Sequence, residues 1–315
     1  MDNDNNEGHI KVKILGVCRF IEEKHIDKEG NTQGKYNKWF SEYIEKLPFS
    51  KYSKTEIKSK SEQISKLINE SVENIGDKEI WGKGRLRKGM VIGSVQSGKT
   101  ASMMGVIGKT VDESTKIVVL LSGTKISLWH QTLLRVYNDL DNQKDRQMKS
   151  DIRLIIPTKN ITKIDKSDRD KIYYSSQEKS IRQALNESGK VLIFIIPKIS
   201  HHILDLAEVI NKSIKNSPDF GKQHMLVIDD ESDDASILDA KKTKLIPYSI
   251  TRLWAGVEKS NDFNQTFSEN LSATYLAYTA TPQANILQSE NNPLSPTNFI
   301  FSLKTPSSIN NRINF

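Results

Sequence analysis

Residues 90–105 read MVIGSVQSGKTASMMG: a short apolar run, a polar loop bounded by glycines, then small and apolar residues. Gly93, Ser94, Val95, Gln96, Ser97, Gly98, Lys99 and Thr100 fit the pattern of glycine, four residues, glycine, lysine, threonine. The run 90–92 reads as a strand and the stretch from Thr100 as a helix, which is the context the pattern requires. Glycines let the backbone curl so that successive amides turn toward phosphate oxygens. The helix N-terminus adds its dipole. Lys99 is placed to reach the outer phosphates, and Thr100 to hold magnesium through its hydroxyl. ATP and magnesium are therefore the expected ligands, with a plain glycine turn as the competing reading.

A phosphate loop predicts a second element, an apolar strand that ends in carboxylates. MLVIDDESDD, residues 225–234, supplies it. Buried charge at a strand end needs a counter-ion, and nucleotide-borne magnesium is the expected one. Asp230 would hold the metal and Glu231 would orient and deprotonate water. Asp229 with Asp230 is the alternative register. A solvated acidic turn and a two-metal nuclease cluster are further readings of the same residues. The nuclease reading is the weaker, because such carboxylates usually arrive from several separated segments. A third signal is YLAYTATPQAN from Tyr275, where Thr279, Ala280 and Thr281 end a strand stopped by Pro282. Hydroxyls there are candidates to bond the carboxylates and sense the outer phosphate. The loop near Ser97 and the carboxylates near Asp230 are expected to converge across neighbouring strands.

The rest of the chain fits that core. After Lys88, runs rich in Val, Ile and Leu recur (KIVVLLSG, DIRLIIP, VLIFIIP), separated by helix-like segments such as SLWHQTLLRVYNDL and ISHHILDLAEVINKSI. Continuous apolarity marks strands buried on both faces, and the alternation argues for an α/β fold with a mostly parallel sheet and helices on both faces. Residues 1–80 read as a helical accessory segment. KYNKWFSEYIEKL spaces Trp39, Tyr43, Ile44 and Leu47 as one helix that Pro48 breaks, and a second helix begins at Ser61 as its cap and stops at Gly76. Residues 81–300 form the ATPase domain in this reading, and 301–315 a tail. KNITKIDKSDRDKIY reads as a surface loop.

The 315 residues carry a net charge of +7, with a pI near 9.1, which favours a polyanionic partner such as nucleic acid, with a merely soluble surface as the competing reading. One cysteine, Cys18, and no leader-like start point to the cytoplasm, with Cys18 in the core. No apolar run approaches the ~18 residues a membrane span needs. WGKGRLRKG, from Trp81, reads equally as a phosphate-contacting or adenine-side cluster and as a solvated loop. Trp129 is a candidate to stack a base, against packing on the sheet. Adjacent His201 and His202 lack the spacing for a metal pair.

Together VIGSVQSGKTASMMGVIGKTVD, VVLLSGTKISLWHQT, LVIDDESDDASI and YTATPQANIL resemble superfamily-two helicases and translocases, and within them the Z-one domain family. The resemblance covers roughly residues 90–287. It implies a RecA-like first helicase lobe, a DNA-dependent ATPase and a place among restriction and phage-defence genes, with partner proteins from such systems. It puts residues 93–100 at motif I and Asp230, Glu231, Ser232 and Asp233 at motif II. Thr279 to Thr281 fall at motif III, Thr124, Gln131 and Arg135 at motif Ia, and Lys198 near motif Ib, as candidates for nucleic-acid contact and coupling. The family's endonuclease label finds no support in these residues. A nuclease and a nucleotide-dependent switch without translocation are the alternatives. Such motors use a second lobe with an arginine finger, and only Arg312 follows residue 285. The chain therefore reads as either a truncated sequence or a first lobe alone, expected to bind ATP and hydrolyse it slowly on its own, since an arginine finger contributes ~10³–10⁵ in rate.

Overall fold

The computed structural model describes residues 12–15, 18–21, 38–73, 85–94, 97–113, 115–140, 152–155, 181–182, 191–216, 223–238, 245–257, 263–287 and 292–303. The expected core burial of Cys18, the stop at Gly76, residues 81–84 of the basic cluster, the loop 159–174, most of the helix-like run 175–188 and Arg312 lie outside these descriptions.

Nine described strands form one sheet: β1 (Val12–Leu15), β2 (Cys18–Ile21), β3 (Leu86–Gly93), β4 (Ile117–Ser122), β5 (Ile152–Ile155), β6 (Val191–Pro197), β7 (Gln223–Asp229), β8 (Leu271–Thr279) and β9 (Phe299–Leu303). Their order is β1-β2-β9-β3-β8-β7-β4-β6-β5. Every neighbouring pair is parallel except β1 with β2. The apolar runs are strands because both sheet faces are covered. Ile117, Val119 and Leu121 point into one core with Ile203, Leu206 and Trp254, while Val118 and Leu120 point into the other with Met103, Ile107 and Leu133. The first core lies under α5 (Ser200–Lys215) and α7 (Ile246–Ala255). The second lies under α1 (Lys38–Lys46), α2 (Lys51–Glu73), α3 (Lys99–Asp112) and α4 (Ile126–Leu140). Two short helices, α6 (Ser232–Ala235) and α8 (Gln283–Leu287), follow β7 and β8.

Three readings are corrected. Ser61 caps nothing: α2 begins at Lys51, and Ser61 is buried in its middle, its Oγ 3.5 Å from the Ser102 carbonyl. The tail begins two residues inside a strand, because β9 pairs with β3 on one side and β2 on the other. The N-terminal segment is not wholly helical, since β1 and β2 extend the sheet. Its helices also lie directly on α3. Tyr43 Oη donates to the Ala101 carbonyl (3.1 Å), and Asp112 accepts the amides of Trp39 (3.3 Å) and Phe40 (3.1 Å). Small residues of α3 permit this approach: a Cβ on Gly108 would stand 3.4 Å from the Phe40 Cα.

Parallel strands end together. Ile92 lies beside Thr279, Ala277 beside Asp229, Asp229 beside Leu121, and Ser122 beside Pro197. The turns after β3, β8, β7, β4 and β6 therefore share one rim of the sheet, the edge at which open α/β sheets bind ligands.

Candidate nucleotide site

The loop after β3 doubles back on its own start. A Cβ on Gly93 would meet Ser97 Oγ at 2.5 Å and Lys99 Cγ at 2.7 Å, so only glycine fits beneath the returning chain. Ser97 N donates to the Ser94 carbonyl at 3.0 Å. Gly98, at φ 80°, turns the backbone into α3 through the left-handed region, where a Cβ is disfavoured. No side chain caps α3 at Gly98, and the first intrahelical bond there runs from Ser102 N to the Gly98 carbonyl at 2.9 Å. Lys99 and Thr100, half-exposed, occupy the first turn. Ser97 Oγ is buried and has no hydrogen-bond partner among the described residues. Val95 and Gln96 lie outside the description. An uncapped helix start, a glycine-tight loop and an unsatisfied buried hydroxyl suit phosphate oxygens, which accept from amides and hydroxyls alike.

Two strands over, the acidic run divides its labour. The two strands are not direct neighbours: β8 lies between β3 and β7, which sets the strand axes about 10 Å apart. Asp229, the last residue of β7, is fully buried. Its Oδ1 lies 3.1 Å from Lys198 Nζ, and its Oδ2 accepts from Ser236 Oγ (2.5 Å) and Tyr275 Oη (2.6 Å). Burial, then the Asp229 charge, drives the Tyr275 phenol well above its ordinary pKa. The counter-ion of the buried strand-end charge is thus a lysine of the protein, not the magnesium expected. Asp230 follows, its amide bonded to the Leu121 carbonyl (2.9 Å). Burial raises the pKa of its carboxyl and the Glu231 charge adds to this, while Lys198 and Lys99 draw it back. Glu231 is exposed and stands in the left-handed region at φ 53°.

Asp233 and Asp234, on α6, are tied to other strands. Asp233 accepts from Thr279 Oγ1 (2.7 Å) and from the Thr281 hydroxyl, and Thr281 N donates to Thr279 Oγ1 (2.9 Å). Burial would lift the Asp233 carboxyl, but the Thr281 and Thr279 bonds, with Lys99 nearby, hold it below its ordinary value. Asp234 accepts from Thr124 Oγ1 at 2.9 Å, which fastens the turn after β4 to the acidic turn.

The remaining candidates sort by exposure. Gln131 and Arg135 are exposed on α4, one turn apart. Lys198 is not presented to any nucleic acid: it is 1% exposed and wholly engaged inside. Trp129 is buried, its indole Nε1 donating to the Ile195 carbonyl (2.9 Å), so it packs on the sheet. From the basic cluster, Arg87 donates to the Leu67 carbonyl (2.9 Å), while Lys88 is buried against Asn264 and the Pro293 carbonyl. His202 is buried beside exposed His201. Among the described residues no group of three His, Cys, Asp or Glu is placed to hold a metal ion by itself, and no helix is long and apolar enough to cross a membrane. Sequence reasoning missed the Lys198, Ser236 and Tyr275 cage around Asp229. Its only advance sign was a lysine directly after seven apolar strand residues.

The chain matches no protein-family model and no curated protein. Among solved structures it is similar to the ORC2 protein of Aeropyrum pernix, determined as ADPNP-ADP complexes, at 12% identity and a TM-score of 0.34. The alignment covers 83% of this chain and 51% of that one, so the chain spans about half the length of that structure. A likeness this loose bears on neither site nor activity.

Proposed function

We propose that the chain binds MgATP at the loop of residues 93–100 and hydrolyses it as a RecA-like P-loop ATPase. The reading rests chiefly on one observation. Sheet topology brings a glycine-tight loop with an unpartnered buried hydroxyl to the same rim as Asp230 and Asp233, and Lys99 acts on both carboxylates. Lys99 and the first-turn amides of α3 would take the phosphates. Thr100 and Asp230 would hold magnesium, which when bound neutralises charge on the outer phosphate oxygens; one carboxylate suffices where phosphates supply the other ligands. Glu231, exposed at its turn, would accept the proton of the attacking water. Asp233 would report the state of the site to Thr279 and Thr281, and Asp234 to the turn of Thr124.

The finer reading follows the Z-one resemblance: a DNA-dependent helicase-like or translocase-like ATPase in a restriction or phage-defence setting. Supporting it, the Thr124 turn that Asp234 holds leads straight into α4, which exposes Gln131 and Arg135. Two of the acidic side chains a metal nuclease would draw on, Asp229 and Asp233, are already engaged by Lys198, Ser236, Tyr275 and the two threonines, which favours the ATPase over the nuclease.

The deciding measurement is ATP turnover of the full-length protein with and without DNA. Expected are DNA-stimulated turnover, loss of ATP binding in Lys99→Ala, and retained binding with turnover reduced ~10²–10⁴-fold in Glu231→Gln. Turnover indifferent to Lys99→Ala would remove the assignment. Turnover indifferent to DNA would leave a nucleotide switch in place of the motor.

A further inference from the structure

Lys198 has no exposed side-chain surface, yet its ammonium meets more than a counter-charge. The residue follows β6 directly, and its own amide is shared between the carbonyls of Ser122 (3.3 Å) and Gly123 (3.2 Å), which pins it to the end of β4. From there Nζ donates to the main-chain carbonyls of Asp230 (2.8 Å) and Glu231 (2.6 Å), and lies 3.1 Å from Asp229 Oδ1. Two of the three ammonium donors go to those carbonyls, while the contact with Asp229 is an ion pair whose Oδ1 accepts no hydrogen bond. Balancing Asp229 requires neither of the two bonds. They gather successive carbonyls at the point where Glu231 enters the left-handed region at φ 53°, a conformation disfavoured for any residue with a Cβ. Such a turn persists only where surrounding contacts impose it, and two short charge-assisted bonds from a pinned, fully buried lysine do so.

We infer that Lys198 is a positioning residue for the proposed ATP hydrolysis: its ammonium fixes the backbone turn of Asp230 and Glu231, and so the placement of the metal-holding and water-activating carboxylates. The inference rests on the ATPase reading above. It separates the two charges of the buried pair by role. Asp229, held by Ser236 and Tyr275, keeps the ammonium in place, and the ammonium shapes the turn. The bland alternative is that Lys198 merely neutralises Asp229 and has no bearing on the reaction.

A paired substitution distinguishes the two. Lys198→Met alone leaves the buried Asp229 charge uncompensated and is expected to melt well below the parent. Lys198→Met combined with Asp229→Asn removes both charges at once and is expected to melt near the parent, with both carbonyls deprived of the ammonium and the Glu231 carbonyl left with the Asp234 amide alone. In that double variant, ATP affinity should stay within about threefold of the parent, because Lys99, Thr100 and the first-turn amides of α3 still take the phosphates. Its kcat should fall about a hundredfold, the scale of a small misplacement of reacting groups. Parental kcat in the double variant would overturn the inference and leave Lys198 a charge-balancing residue. Equal losses in affinity and kcat would overturn it too, since the turn alone should be disturbed. Failure of the underlying reading looks different: the parent itself would show no ATP turnover.

Discussion

Gly93 carries the site at the scale of single residues. The sequence shows a glycine five residues before the helix-starting Gly98, and the structure shows why no other residue serves: Ser97 Oγ and Lys99 Cγ occupy the space of its missing Cβ. Gly93→Ala should therefore keep the fold while weakening ATP binding tenfold or more, about 1.4 kcal/mol, as measured by nucleotide titration beside an unchanged circular-dichroism spectrum. Unaltered affinity would mean that the loop is not the binding element. Asp229 and Asp230 show where single-residue reading stops. Both are aspartates at the end of one apolar run, and spacing alone left open which of them serves the nucleotide. Only the surroundings separate them: Asp229 is enclosed by Lys198, Ser236 and Tyr275, whereas burial raises the Asp230 carboxyl and the charges of Lys198 and Lys99 draw it back.

Among the elements, α3 was legible as a helix from its apolar spacing, but its small residues had no stated purpose in the sequence. Their purpose is packing. Gly105 and Gly108 admit Ser61 of α2 and Phe40 of α1, and Asp112 at the far end of α3 caps the start of α1. That cap has a pH signature. Burial raises the Asp112 carboxyl to about 6 against an ordinary 3.8, despite the two amides and Lys109 pulling it down. The folded state then holds a proton that the unfolded chain releases, so this group lowers stability as pH rises from about 4 to about 6. Asp112→Asn removes the titration but keeps only one of the two acceptor oxygens, at a cost that does not depend on pH. Discounted for partial exposure, the variant's stability relative to the parent should stand about 1 kcal/mol higher at pH 7.5 than at pH 4. Urea midpoints at the two pH values test it, and an equal difference at both would show that titration of Asp112 is not the cause.

For the whole molecule, the decisive feature is the order of strands. β8 enters the sheet between β3 and β7, so the Thr279 and Thr281 hydroxyls reach Asp233 from the strand that separates loop from carboxylates. β9, whose last three residues were expected to be tail, completes the other side of β3, with Phe299 and Phe301 buried in the core beneath α3. Truncation after residue 296 should accordingly cost the protein its cooperative melt, because it strips a paired neighbour from the strand leading into the phosphate loop. A truncated chain that melts like the parent would refute that role for β9.

The sequence by itself determined the class of fold, because runs of Val, Ile and Leu long enough to be strands and too apolar to face water leave a sheet covered on both faces as their only stable placement. It also determined the close return of the chain at Gly93 and the left-handed turn at Gly98, since glycine at two positions and a helix behind them are short-range requirements. Tertiary structure alone decided strand order, the roles of successive aspartates, and the burial of Lys198. Those depend on which residues distant in sequence become neighbours: a lysine after one strand reads as a surface cation until the aspartate ending another strand, thirty-one positions on, is folded against it.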